Sequence, residues 1–173
     1  MALLFELVAE FGQSQHNAVA FAGRLNGQSW QLSNDVVCRY EFIASDVWED
    51  GKIWWCRIVP KLKEAGSFNH GDVALVQLTK QLYSSLELLS GFRFAIIGWE
   101  AEAWLTLDEV VCSGIDEKDL PRGLVVSGDV CRRMGSPEWL APFGCDSFWL
   151  PLLEHDYSLV ANGELTMPKR EQS

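Results

Sequence analysis

Histidine and basic side chains are scarce in this chain. His16, His70 and His155 are its only three histidines. They stand far apart with no helical pair among them, which leaves little material for a histidine metal site or proton relay. His155 and Asp156 are adjacent in LEHDY, but neighbours on an extended segment point apart, so their adjacency does not make a catalytic pair. Neither GxGxxG nor GxxxxGK[ST] occurs, which removes the usual signals of nucleotide binding. A GxSxG elbow is missing too, and no cysteine stands in a nucleophile signature.

No run approaches the roughly 18 consecutive apolar residues that a membrane-spanning helix needs. The opening MALLFELVAEF lacks a basic segment and carries Glu6 and Glu10 inside its apolar run. The expectation is a soluble, unexported, cytoplasmic protein without a membrane role. Cys38, Cys56, Cys112, Cys131 and Cys145 are odd in number and show no CxxC or Cys/His spacing, as expected of free thiols in a reducing compartment. No metal or other cofactor is expected, and no catalytic residue is assigned.

Fourteen Lys and Arg stand against 24 Asp and Glu, for a formal charge of −10. A field of that sign repels phosphate backbones and attracts basic proteins. Direct nucleic-acid binding is therefore not expected, whereas a basic protein partner is.

Hydrophobic residues make up 48% of the 173, with eight Trp and nine Phe, enough for the core of one domain over residues 1–165. The polar TMPKREQS from Thr166 onward reads as a frayed tail over 166–173. Residues 2–11 read as a strand. AVAFAGRL at 18–25 and QSWQL at 28–32 flank Asn26-Gly27, a strong hairpin signal, so the chain is expected to begin with an antiparallel meander. VVCRYEFIA at 36–44 is a further strand, Asp50-Gly51 marks a turn into KIWWCRIV, and Pro60 interrupts the pattern. KLKEAGSFNHG reads as an exposed connection.

Leu75, Leu78, Leu82, Leu86 and Leu89 recur at helical spacing, which predicts a long helix over about 72–90 closed by Gly91. FRFAIIG at 92–98 reads as a central strand. Thr106 and Glu109 form an S/T-x-x-E capping box, so a short helix should start near Leu107. GLVVS at 123–127 is a strand whose Ser127 caps a helix to Met134, and Ser136-Pro137-Glu138 offers another helix start. FWLPL and YSLVA supply late strands. The fold class is α+β: a largely antiparallel sheet with an N-terminal meander, packed against one long central helix plus short C-terminal helices.

Three segments are candidate sites. SDVWEDG places Asp46, Glu49 and Asp50 around Trp48 in a turn, with Trp54 or Trp55 following; such an acidic, aromatic loop suits insertion into a basic cleft. In GWEAEAW, Glu100 and Glu102 share one face of an extended segment, beside Trp99 and Trp104. Asp116, Glu117 and Asp119 form a second acidic segment. The favoured reading is a non-catalytic, acidic binding module, concretely a bacterial immunity or antitoxin-like inhibitor that occludes a basic partner such as a nuclease toxin. The alternatives are a small enzyme or binding protein for an uncharged ligand such as a carbohydrate, using Glu100, Glu102 and the nearby Trp, and a structural subunit of an assembly.

Overall fold

The fold is built outward from FELVAE, a strand whose six residues are all buried. The computed structural model describes residues 5–32, 38–62, 72–99, 101, 106–112, 116–144 and 146–150. Within them the elements run β1 (Phe5–Glu10), α1 (Gln15–Leu25), β2 (Ser29–Leu32), β3 (Cys38–Asp50), β4 (Ile53–Leu62), α2 (Asp72–Glu87), β5 (Phe94–Trp99), α3 (Leu107–Val110), β6 (Leu124–Ser127), α4 (Gly128–Arg133), β7 (Ala141–Phe143) and β8 (Ser147–Leu150). The expected connection KLKEAGSFNHG, 61–71, begins too early, because β4 runs on to Leu62; its residues 63–71, the late strand YSLVA and the tail lie outside the described residues.

The chain is mixed α and β, with a large antiparallel sheet of order β2-β3-β4-β1-β5-β6-β8-β7. Every neighbouring pair is antiparallel. β1 is central, and its alternation sorts side chains between two covered faces. Leu7 and Ala9 point to one face, where Cys56, Ile58, Ala95, Ile97 and Trp149 meet helices α1 and α2. Val8 points to the other, where Phe94, Ile96, Leu124 and Val126 meet Leu107 and Val110 of α3 and Val130 and Cys131 of α4.

The single long helix is therefore corrected: there are four α-helices among the described residues, mostly short, and α1 shares one sheet face with α2. The N-terminal meander is corrected as well. Ala18, Phe21, Ala22 and Leu25 are buried at spacings of three, one and three, the stripe of an amphipathic helix, and Ser14 caps it by accepting from the Asn17 amide. Asn26-Gly27 does not turn a hairpin. Asn26 closes α1 through its N–H to Ala22 O at 2.9 Å, and Gly27 takes the positive φ of 79° that follows many helix ends.

Pro60 does not interrupt β4. It pairs with Phe42 of β3, beyond the last β1–β4 pair at Leu7 and Ile58, where the β1 side demands no donor from it. Ser136-Pro137-Glu138 starts no helix: Ser136 has φ 53°, Leu140 N bonds Pro137 O in one turn, and β7 begins at Ala141. Other expectations hold in detail. Thr106 and Glu109 make the capping box of α3, and Ser127 caps α4 through the Val130 amide.

Candidate functional site

The outer half of the β3–β4 hairpin gathers most of the described candidate residues. Its turn is at Gly51-Lys52, both with positive φ, so Asp50 pairs with Ile53 across a tight two-residue turn. SDVWEDG is accordingly not a loop: Asp46 to Asp50 belong to β3, and the turn follows them. This corrects the expected acidic loop and makes the segment a ladder-bonded, stiff element.

A register shift between Ala44 and Asp46 decides what this ladder displays. Ala44 pairs with Ile58; in unbroken register Asp46 would pair with Cys56, which like Ile58 belongs to the helix-covered side. With Ser45 as the extra residue, Asp46 faces Arg57 and Trp48 faces Trp55 instead. A one-residue bulge thus moves an acid and an indole to the opposite face of the sheet.

There Trp48 and Trp55 stack with ring centroids 6.0 Å apart and planes 11° from parallel. Trp55 also meets Phe94 edge-on at 5.7 Å. The Arg57 guanidinium lies 5.5 Å from the Trp48 ring centroid, its Nη1 donates to Asp46 Oδ2 at 3.2 Å, and its Nε is 3.2 Å from Glu6 Oε2. Glu6 is almost fully buried, so Arg57 bridges a buried acid on the central strand to an exposed one at the surface. Stacking and cation–π contact each contribute on the order of 1 kcal/mol, which stiffens the hairpin without fixing a ligand.

Glu49 and Asp50 differ from Asp46. Both are exposed beside the turn and have no ion pair among the described residues. Trp54, opposite Glu49, is partly buried against the helix-covered core rather than displayed. Cys56, between Trp55 and Arg57 in β4, is fully buried, and its thiol is pushed up to about 12 by burial and by the nearby Asp46 charge. It is a core thiol, not a nucleophile.

The second acidic segment lies elsewhere. Asp116 to Asp119 lead toward β6, which β1 and β5 separate from β4. Two of its three acids have an ion pair: Asp116 pairs with Lys118 at 3.1 Å and Glu117 with Arg122 at 2.8 Å, while Asp119 accepts from the Asp116 amide. The hydrogen bond and charge of Lys118 hold the Asp116 carboxyl below its ordinary range. Trp99 closes β5 opposite Phe5. Glu100, Glu102 and Trp104 lie outside the described residues, as do His70 and His155. His16 is exposed on α1.

Among the described residues no group of three or more His, Cys, Asp or Glu side chains is placed to hold a metal ion. No helix among them is long and apolar enough to cross a membrane. Sequence reasoning overlooked Arg57 and Glu6 as partners of this site. Their signal is parity: Arg57 lies two residues from Trp55, and Glu6 lies in a strand whose other residues are apolar or Glu10. Comparison with protein-family models, curated proteins and solved structures finds no match.

Proposed function

We propose that this chain is a non-catalytic binding module that presents the outer β3–β4 hairpin to a basic protein, in the manner of an immunity or antitoxin-like inhibitor of a nuclease toxin. The observation that carries the reading is the contrast among its acids. Asp46, Asp116 and Glu117 are matched by the chain's own cations, whereas Glu49 and Asp50 stand exposed without an ion pair among the described residues, at the end of a stiff hairpin.

Unmatched carboxylates on a rigid element steer a cationic partner and pair with it at little cost in chain entropy. The net charge of −10 adds a long-range field of the same sign. An inhibitor built this way needs no chemistry of its own; it excludes substrate from a cleft that normally holds an anionic polymer.

The test is capture from host lysate on the immobilised chain at low and moderate salt, with identification of the bound protein and titration of its activity. A stoichiometric basic protein, released by salt and inhibited by the chain, supports the reading. Capture unchanged in the double variant Glu49→Lys, Asp50→Lys overturns the role of the hairpin.

A further inference from the structure

Both outermost strands of the sheet are short, which limits stray pairing at its edges. β7 has three residues and holds Pro142, which has no N–H to offer, and β2 has four. β3 outruns this protection. β2 pairs with it only from Cys38 to Glu41, so from Phe42 to Asp50 no strand among the described residues lies along its far side.

The ladder settles which backbone groups this open edge displays. Trp54 donates its N–H to Gly12 O at 2.7 Å and accepts from the Phe11 N–H at 2.8 Å, so both of its backbone groups turn toward the β1 side. Glu49, opposite Trp54, therefore sits in a pair without mutual hydrogen bonds, and its own N–H and C=O turn outward, off the sheet. Val47, two residues back and still on the turn side of the bulge, repeats that orientation. Neither has another backbone partner among the described residues. Around these groups Asp46, Glu49 and Asp50 are exposed, and Trp48 shares a face with Asp46 and Asp50.

We propose, resting on the reading that this hairpin meets a basic protein, that the Asp46–Asp50 edge takes up an extended basic segment of that partner as an added antiparallel strand. Its backbone fills the outward groups of Val47 and Glu49. Two successive cations meet Asp50 and Glu49, whose β4 partners are Ile53 and Trp54 and supply no counter-charge, and two apolar residues then meet Trp48 and Val47. Charge disfavours a second copy of the chain as the occupant. Self-pairing centred on Trp48 sets Asp46 of one copy against Asp50 of the other, and self-pairing centred on Glu49 sets that glutamate against itself.

The experiment is an NMR titration of the full chain, at constant ionic strength, with the blocked hexapeptide Thr-Lys-Arg-Val-Val-Thr and two N-methylated isomers of equal charge. Methylation at Arg and the second Val removes the amides that would face Glu49 and Val47; methylation at Lys and the first Val removes amides that would face away. Saturable amide shifts centred on residues 46–50 are expected with the parent and the second isomer, with binding at least tenfold weaker for the first. Glu49→Pro, which removes an outward N–H and no ladder bond, should weaken parent binding at least tenfold, and Glu49→Gln should weaken it less. Equal binding by the two isomers would overturn the added strand while leaving the hairpin as a charged docking tip. Absence of saturable shifts with the parent overturns it too, as do the same shifts on concentrating the chain alone, which would assign the edge to a second copy. The proposed function fails separately, when lysate yields no salt-released basic protein.

Discussion

Arg93 forks onto Glu10 across the β1–β5 ladder: its Nε lies 2.9 and 3.0 Å from the two carboxylate oxygens, and its Nη2 lies 2.7 Å from Oε1. Glu10 is fully buried and also accepts from the Gly12 amide, while the Arg93 side chain keeps 34% exposure. Arg93→Met strands a carboxylate inside the sheet. It should cost about 3 kcal/mol, the low end for breaking a buried pair because Arg93 is partly wet. Adding Glu10→Gln should recover at least half of the loss, since the amide oxygen still serves Gly12. Urea unfolding of Arg93→Met, Glu10→Gln and the double variant checks this; additive losses would show that the fork is not a coupled unit.

Charge reversal at the hairpin tip tests the proposed binding surface without touching the fold. Glu49 and Asp50 are exposed and make no ion pair among the described residues, so Glu49→Lys and Asp50→Lys should each change stability by less than about 0.5 kcal/mol. Partner affinity should fall and its salt dependence flatten. Association rates measured at several ionic strengths give the readout.

Glu87 makes stability fall with pH in a narrow window. Its folded-state pKa is raised by burial, so the folded chain keeps a proton that the unfolded chain has already released. Stability is therefore lost as pH rises from the ordinary carboxylate range through the raised value. Glu87→Gln should remove that slope and stabilise the chain at neutral pH, by under about 1 kcal/mol because the group is largely solvent-screened. Denaturation midpoints for both proteins should converge at acidic pH.

Two glycines should respond in opposite directions to alanine. Gly123 has φ 91°, and a Cβ there would lie 1.9 Å from the Ile97 carbonyl oxygen, inside the β5–β6 junction. Gly123→Ala should cost more than about 3 kcal/mol through backbone strain and displacement of that strand end. Gly23 lies on the exposed side of α1 with nothing within 4 Å of a Cβ. Gly23→Ala should stabilise by about 0.5–1 kcal/mol. Thermal melts of the two variants decide.

Thiol labelling should discriminate among the described cysteines. Cys112 is exposed, whereas Cys56 and Cys131 are buried, and burial raises the pKa of both buried thiols. Cys112 should label with iodoacetamide in the native state, and the other two only on unfolding, as peptide mass mapping over time will show.

Local grammar was the legible part of this fold. Thr106 and Glu109 announce α3, Ser127 announces α4, and the apolar run at 92–98 announces β5, which spans Phe94–Trp99, because caps and short buried strands are specified by residues a few positions apart. α1 was masked by a stronger local signal: Asn26-Gly27 fits a hairpin turn as well as a helix end, and only the burial of Phe21 and Leu25 against β1 and β4 separates the two. The bulge at Ser45 left no compositional trace, yet it decides that Asp46 meets Arg57. Sheet order was illegible for the same reason: pairing of residues some fifty and ninety positions apart is a property of packing, not of any window of sequence.

The position of β1 sets how late in synthesis its ladder can close. The strand is complete at Glu10, but its two sheet neighbours begin only at Ile53 and Phe94. While the ribosome makes the intervening chain, the first apolar segment waits without its lateral partners, and it must stay there through the slowest class of pairing events. A nascent chain paused before residue 94 therefore exposes half of its central ladder to whatever else is nearby, so occupancy by holding chaperones should peak over that interval and drop as β5 leaves the exit tunnel.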